Sequence, residues 1–357
     1  MWRNGINKKQ IGKIGIPVFD RTIAEMQGHI RPEVRRGPGF GTDASLIDLP
    51  GGMAMAMTSD PLSLIPPLGL EASAWLSVHL LANDMATTGH APMYGQFVLN
   101  LPTSMPPEDF KQYWAYIHQF CSNIGIAITG GHTGFTEHQH STISGGGTLV
   151  TVAPRGTIRT TPAARTGDAL LVTKQCALSS AAILAMSFPQ TVKNKAGSEV
   201  YQQACSSFYQ TSSLQDALIA VGDNSDTDEV SAMHDVTEGG VLGAIYELAV
   251  ASQNGALINS ERLPVSPVQE RVCKIFGLDS RYCIGAGAMV IACRKKAVHH
   301  IIDRLGAAGI PCVEVGMLTD RSSGIKLIED GRMQDMPYYD EDAYWAAFYK
   351  AFETGWK

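Results

Sequence analysis

Residues 106–131, PPEDFKQYWAYIHQFCSNIGIAITGG, constrain the fold more than any other stretch. Pro107, Glu108 and Asp109 suit a helix start. Phe110, Trp114, Ile117, Cys121 and Ile124 then recur at helical spacing, and Gly125 supplies the stop. The apolar run at 126–129 reads as a strand that meets a glycine loop at Gly130 and Gly131. Helix, strand and glycine loop in that order is the grammar of an α/β or α+β layer.

The same grammar recurs along the chain. Residues 70–89 form a second helix with Ala72, Leu76, Leu80 and Asn83 on one stripe, and residues 51–60 read as a turn and a buried strand ending at Asp60. Residues 153–168, rich in Pro, Arg, Thr and Gly, break the periodicity. Beyond them, strands are expected at 169–173, 229–235, 287–294, 311–318 and 325–329, with helices at 179–188, 239–255 and 295–309. We therefore expect two domains, 35–153 and 168–330, joined by a linker at 154–167. A basic arm, 1–34, precedes them, and an aromatic tail, 331–357, follows. With 357 residues, 45% hydrophobic and 17% charged, the chain has enough apolar material for two cores.

Residues 1–36 carry eight Lys/Arg against three Asp/Glu. They are expected to form a partly ordered extension, with an anion-binding or partner-binding arm as the alternative. The tail holds eight aromatics between Tyr338 and Trp356 and is expected to dock as an amphipathic helix, the alternative being a peptide or oligomer surface.

Several function classes drop out. A net charge of −6 offers no basic field to nucleic acid. The seven cysteines are scattered without a C-x-x-C, which argues against a disulfide framework or a zinc knuckle. No apolar run approaches 18 residues and the first residues lead into no apolar signal region, so the expected location is cytoplasmic, with no membrane contact. The P-loop, G-x-S-x-G and H-E-x-x-H motifs are all missing.

What recurs instead is a carboxylate beside small residues at an element end. Asp43 lies in GTDAS, Asp60 in MTSDP, Asp84 in LLANDMA and Asp235 in MHDVTEGG. Each alone is ordinarily a cap or turn residue. HDVTEGGV carries more: a strand end, then Asp235, Thr237 and Glu238, then Gly239 and Gly240 opening a helix. Backbone N–H groups at such a start can hold a phosphate while the nearby carboxylate holds its Mg²⁺. Gly130, Gly131, His132 and Thr133 are similar in kind. The adjacent His138 and His140 would share one face of a strand, and with His132 they raise a separate reading as a zinc or nickel site.

Taken in order, GTDAS, TSD, ANDMATTGHAP, ITGGHT, GDALLVT and HDVTEGGVLGAIYELA resemble the PurM-like (AIR synthase-related) superfamily of ATP-dependent enzymes over residues 35–330. The chain is most similar to its HypE-like hydrogenase-maturation and synthetase-related members. The resemblance implies a two-domain fold: an α/β N-terminal domain that dimerises through its sheet, and a C-terminal α+β domain. It places Mg-ATP between the domains, with Asp43, Asp60, Asp84 and Asp235 holding magnesium and phosphates and Asn83 and Thr133 helping at the nucleotide.

The chain also departs from these relatives. Most carry an acid where His132 stands. No cysteine precedes Cys121, where selenophosphate synthetase uses an N-terminal nucleophile, and FETGWK lacks the terminal cysteine of the hydrogenase-maturation enzyme. The expected function is Mg-ATP-dependent phosphorylation of a carbonyl, amide, carbamoyl or similar small acceptor by a homodimer. Asp84, Asp235 and His132 would stand at the chemistry, and His234 would be either a phosphate contact or a structural histidine. The alternatives are a small-molecule kinase resembling thiamine-monophosphate kinase and a nucleotide-binding regulatory protein without turnover.

Overall fold

In the computed structural model, which describes residues 13–137, 144–222, 228–339 and 341–357, two mixed sheets divide the chain. The first holds β1 (Val34–Arg36), β2 (Ser45–Asp48), β3 (Met53–Pro61), β4 (Tyr94–Pro102), β5 (Ala127–Thr136) and β6 (Ser144–Pro154), in the order β1-β2-β3-β6-β4-β5. All its pairs are antiparallel except β4 with β5. Side chains alternate across it. Ala54, Ala56, Phe97, Leu99, Leu101 and Leu149 are buried, whereas Met55, Met57, Tyr94, Val98 and Val150 turn outward. The two-residue period puts the buried set on one face, where the helices Gly69–Ala86 and Pro107–Asn123 cover it.

The second sheet holds β7 (Ala169–Thr173), β8 (Val230–Asp235), β9 (Gly255–Asn259), β10 (Met289–Cys293), β11 (Cys312–Thr319), β12 (Ile325–Glu329) and β13 (Arg332–Asp335). Their order is β13-β12-β9-β11-β7-β10-β8, and only β9 with β12 is parallel. Leu170, Val172, Val290 and Ala292 pack under the helix Gly240–Ala251. Ala169, Leu171, Met289 and Ile291 face the helices Leu214–Val221 and Val298–Ala307 on the opposite side. Burial on both faces is why ALLVT and MVIAC are continuous apolar runs rather than alternating ones.

The expected elements form, with two differences. The first concerns Gly130, Gly131, His132 and Thr133, expected in a loop. They continue β5 along the edge of the first sheet, pairing opposite Gln96, Phe97, Val98 and Leu99. Gly131 makes this possible at φ +142°, where a Cβ would sit 1.8 Å from the Phe97 carbonyl oxygen. Second, β13 carries the second sheet into the segment read as the tail. The last helix, Ala343–Glu353, docks as expected, burying Tyr344, Phe348 and Ala351 against Phe188 and Ala181 among others. Burial of each large ring contributes about 2 kcal/mol. No helix among the described residues is long and apolar enough to cross a membrane.

Candidate active site

Asp43 precedes β2, Asp60 lies near the end of β3, Asp84 occupies the last turn of Gly69–Ala86, and Asp235 ends β8 of the other sheet. All four line one cleft of about 500 Å³ between the two domains, together with Lys13, Thr237 and Glu238. The four carboxylates that sequence position alone left as possible caps therefore converge.

Their environment disfavours charge. Burial, followed by repulsion from Asp235, Asp60 and Asp43, holds the Asp84 carboxyl well above its ordinary range, although Thr58 Oγ1 donates to it at 2.9 Å. Burial and then Glu238 push Asp60 up to about 7, against the pull of Lys13. Burial and then Asp43 likewise push Asp235 up to about 7. Crowded, partly dehydrated carboxylates of this kind relax when a divalent cation enters.

The donor set decides which cation fits. Asp43, Asp235 and His234 bring ligand atoms within 4.8 Å of one another. His234 has no lone pair to offer, however. Its Nδ1–H donates to the Asp43 carboxylate at 2.7 and 2.8 Å, and its Nε2–H donates to Glu247 at 3.2 Å. Burial opposes the charged ring, but Asp43 and Glu247 outweigh it and raise His234 to about 10. The set open to a metal is then oxygen-only, which suits Mg²⁺ rather than zinc or nickel. Of the histidines in the transition-metal reading, His138 and His140 lie outside the described residues, and His132 is exposed on the edge strand.

Other expected contacts are placed differently. Asn83 is fully buried; its Nδ2 donates to the Thr211 carbonyl at 2.9 Å and its Oδ1 accepts the Ser213 N–H at 2.7 Å, so it ties the two domains together. Gly239 N–H, expected to face phosphate, donates to Asp342 Oδ2 at 2.8 Å. Asp342 also caps the last helix through Tyr344 N–H. Gly240 is at φ +64° and sits so close to the Arg281 and Cys283 carbonyls that no side chain fits. Thr237 lines the cleft, whereas Gly130, Gly131, His132 and Thr133 do not.

Lys13 and Glu247 escaped the sequence reading. Lys13 Nζ reaches from the basic arm to Thr237 Oγ1 at 2.9 Å and Glu247 at 3.3 Å. Its side chain is 46% exposed, so solvent screens that attraction. Glu247 is 5% exposed, and despite its burial the Lys13 ammonium and His234 bring its carboxyl down to about 2. The available signal was a lone glutamate in the otherwise apolar run GVLGAIYELAVA, since a buried charge requires a partner.

Comparison with known proteins agrees with this architecture. Residues 41–152 match the AIR synthase related protein N-terminal domain, and residues 165–328 match its C-terminal domain. The carbamoyl dehydratase HypE of Cupriavidus necator is 26% identical over 71% of this chain and 69% of its own. The selenide, water dikinase of Haemophilus influenzae is 23% identical over 86% of this chain and 91% of its own. Among solved structures, hydrogenase maturation protein HypE in complex with ATP superposes with a TM-score of 0.68 at 17% identity, covering 88% of this chain and 92% of that one. Thiamine monophosphate kinase from Aquifex aeolicus gives 0.66 at 16% identity, covering 90% and 98%. With both domains matched and the fold shared, the chain belongs to the AIR synthase-related, PurM-like family of ATP-dependent enzymes.

Proposed function

We propose that this protein is a Mg-ATP-dependent phosphoryl-transfer enzyme acting on a carbonyl, carbamoyl or amide-type oxygen of a small acceptor. The observation that carries this reading is the convergence of Asp43, Asp60, Asp84 and Asp235 on one interdomain cleft. Those four carboxylates would hold magnesium, which when bound neutralises charge on the phosphates. Thr58 orients Asp84, and the His234 imidazolium fixes Asp43 from behind, so two of the acids are positioned before a ligand arrives. In the transfer the acceptor oxygen bonds to the γ-phosphorus as its bond to the bridging oxygen breaks. ADP leaves with that electron pair, and an amide acceptor releases its N–H proton to water.

The homodimer belongs to the same proposal. Met57, Val150 and Tyr94 lie side by side across β3, β6 and β4 on the uncovered face of the first sheet. An apolar stripe of this kind calls for a partner surface.

The test is Mg²⁺-dependent ATP binding and turnover by wild type, Asp84→Ala and Asp235→Ala. Wild type should bind and consume ATP with a carbamoyl or amide acceptor, and each variant should lose both. Binding without turnover across such acceptors would favour the regulatory alternative, and no Mg²⁺-dependent binding would refute the proposal.

A further inference from the structure

Next to Asp60 the cleft is walled by irregular chain that side chains, not a strand ladder, hold in place. The register of β3 with β6 ends at Pro61, and residues 61–65, PLSLI, go on to line the cleft. Pro66 then holds Ile65 extended, at φ −105° and ψ 102°. The backbone groups of this segment find partners on the helix Gly69–Ala86. Ser63 N–H donates to Ser77 Oγ at 2.9 Å, and Ile65 N–H donates to Ser73 Oγ at 3.0 Å. The Ser63 carbonyl oxygen lies 2.9 Å from the same Ser77 hydroxyl and 3.0 Å from that of Tyr113. The two hydroxyls are 2.7 Å from each other. Ser73, Ser77 and Tyr113 are all buried, and neither Ser77 nor Tyr113 lines the cleft itself.

This pinning bears on the acids. Asp60 shortly precedes Ser63 on the same stretch of chain. Asp84 follows Ser77 by about two turns on the same face of the helix. The Ser77 and Tyr113 hydroxyls thus clamp the chain that carries one carboxylate onto the helix that carries the other. Asp60 and Asp84 are close enough to repel.

The spacing of two such carboxylates matters to the ion they hold. Mg²⁺ demands near-ideal octahedral oxygen geometry at about 2.1 Å, whereas Ca²⁺ accepts flexible sets at about 2.3–2.6 Å. A firmly spaced pair favours the smaller ion, and a loosened pair gives that preference up.

Building on the phosphoryl-transfer reading, we propose that Ser77 and Tyr113 are positioning residues that fix the spacing of Asp60 and Asp84 and thereby set a preference for Mg²⁺ over Ca²⁺. They touch neither ion nor nucleotide. They act through the backbone of Ser63, and Ser77 carries the larger share because it bonds both the N–H and the carbonyl of that residue.

The experiment is calorimetric titration of a non-hydrolysable β,γ-methylene ATP analogue into wild type, Ser77→Ala and Tyr113→Phe, over a range of Mg²⁺ or of Ca²⁺. Wild type should half-saturate at lower Mg²⁺ than Ca²⁺. Ser77→Ala should raise the Mg²⁺ requirement about tenfold and the Ca²⁺ requirement less than about threefold. Tyr113→Phe, which keeps the ring and loses only the hydroxyl, should shift the ratio in the same direction by less. A variant that is merely less well folded loses binding with both ions alike, so the ratio separates positioning from stability. Equal losses with the two ions, a wild-type ratio in both variants, or no preference for Mg²⁺ in wild type overturns the proposal. Those outcomes leave phosphoryl transfer standing as long as wild type binds the analogue with Mg²⁺. Absence of that binding in wild type sinks the underlying reading, and the positioning role with it.

Discussion

His234 of the second domain donates Nδ1–H to the carboxylate of Asp43 in the first, at 2.7 Å, with both side chains almost wholly buried. Glu247 takes the other ring nitrogen, so one imidazolium joins two carboxylates across the domain boundary. Removing it leaves two buried carboxylates without the cation that joins them, and Lys13, which pairs with Glu247, is half exposed. Breaking a buried ion pair by deleting one partner costs about 3 kcal/mol or more. His234→Gln should therefore lose about that much stability in urea denaturation. A loss below about 1 kcal/mol, typical of a surface substitution, would show that the triad is not a latch.

In the proposed site, Asp84 would trade stability for ligand binding. Its carboxyl is buried and repelled by three neighbouring aspartates, so neutralising it should relieve the Mg²⁺-free protein. Asp84→Asn is expected to raise metal-free stability by about 1 kcal/mol. It should also abolish the stabilisation that Mg-ATP gives wild type, as read by thermal unfolding with and without the ligand. Equal ligand-induced shifts in the two proteins would remove Asp84 from the metal set.

How much of this was legible depended on distance along the chain. Asp43, Asp60, Asp84 and Asp235 could be singled out because each acid stands at an element end, a position readable from local pattern. The strands ALLVT and MVIAC were equally readable, because burial on both faces writes itself as an apolar run. Lys13 was not, since its partner Glu247 is 234 residues away. Asn83 was placed on the right helical stripe, yet its amide is consumed by Thr211 and Ser213, a cross-domain pairing no local pattern encodes. Gly130 and Gly131 looked like a loop because glycine ordinarily punctuates. Here glycine at 131 lets an edge strand run close to Phe97 instead.

The uncovered face of the first sheet yields a prediction about assembly. Val150 is flanked in register by Met57 on one side and Tyr94 on the other, in the middle of the apolar row. A lysine there points into the same space and leaves the buried face untouched, because side chains alternate. Light scattering on the eluting protein should give a dimer for wild type and a monomer for Val150→Lys, with folding retained. A wild-type monomer, or a dimer that tolerates the lysine, would move the interface elsewhere.

His79 provides a pH dependence that can be measured apart from the acid cluster. It is 4% exposed and stacks on Trp75 at 3.7 Å and 29°, with Nδ1 against Ser212 Oγ at 2.9 Å. Burial pushes its pKa down from 6.5 to about 4. The unfolded chain therefore binds the proton more readily between those values. The stabilisation from a neutral, packed ring is fully present above pH 6.5 and is lost as pH falls toward 4. A gap of that size corresponds to about 3 kcal/mol at its limit. His79→Phe keeps a ring against Trp75 and cannot titrate. The carboxylates, unchanged in both proteins, cancel from the difference between wild type and variant. Urea midpoints at pH 7 and pH 4.5 should then show wild type losing stability relative to His79→Phe at the lower pH, whereas parallel behaviour would mean the buried ring does not resist protonation.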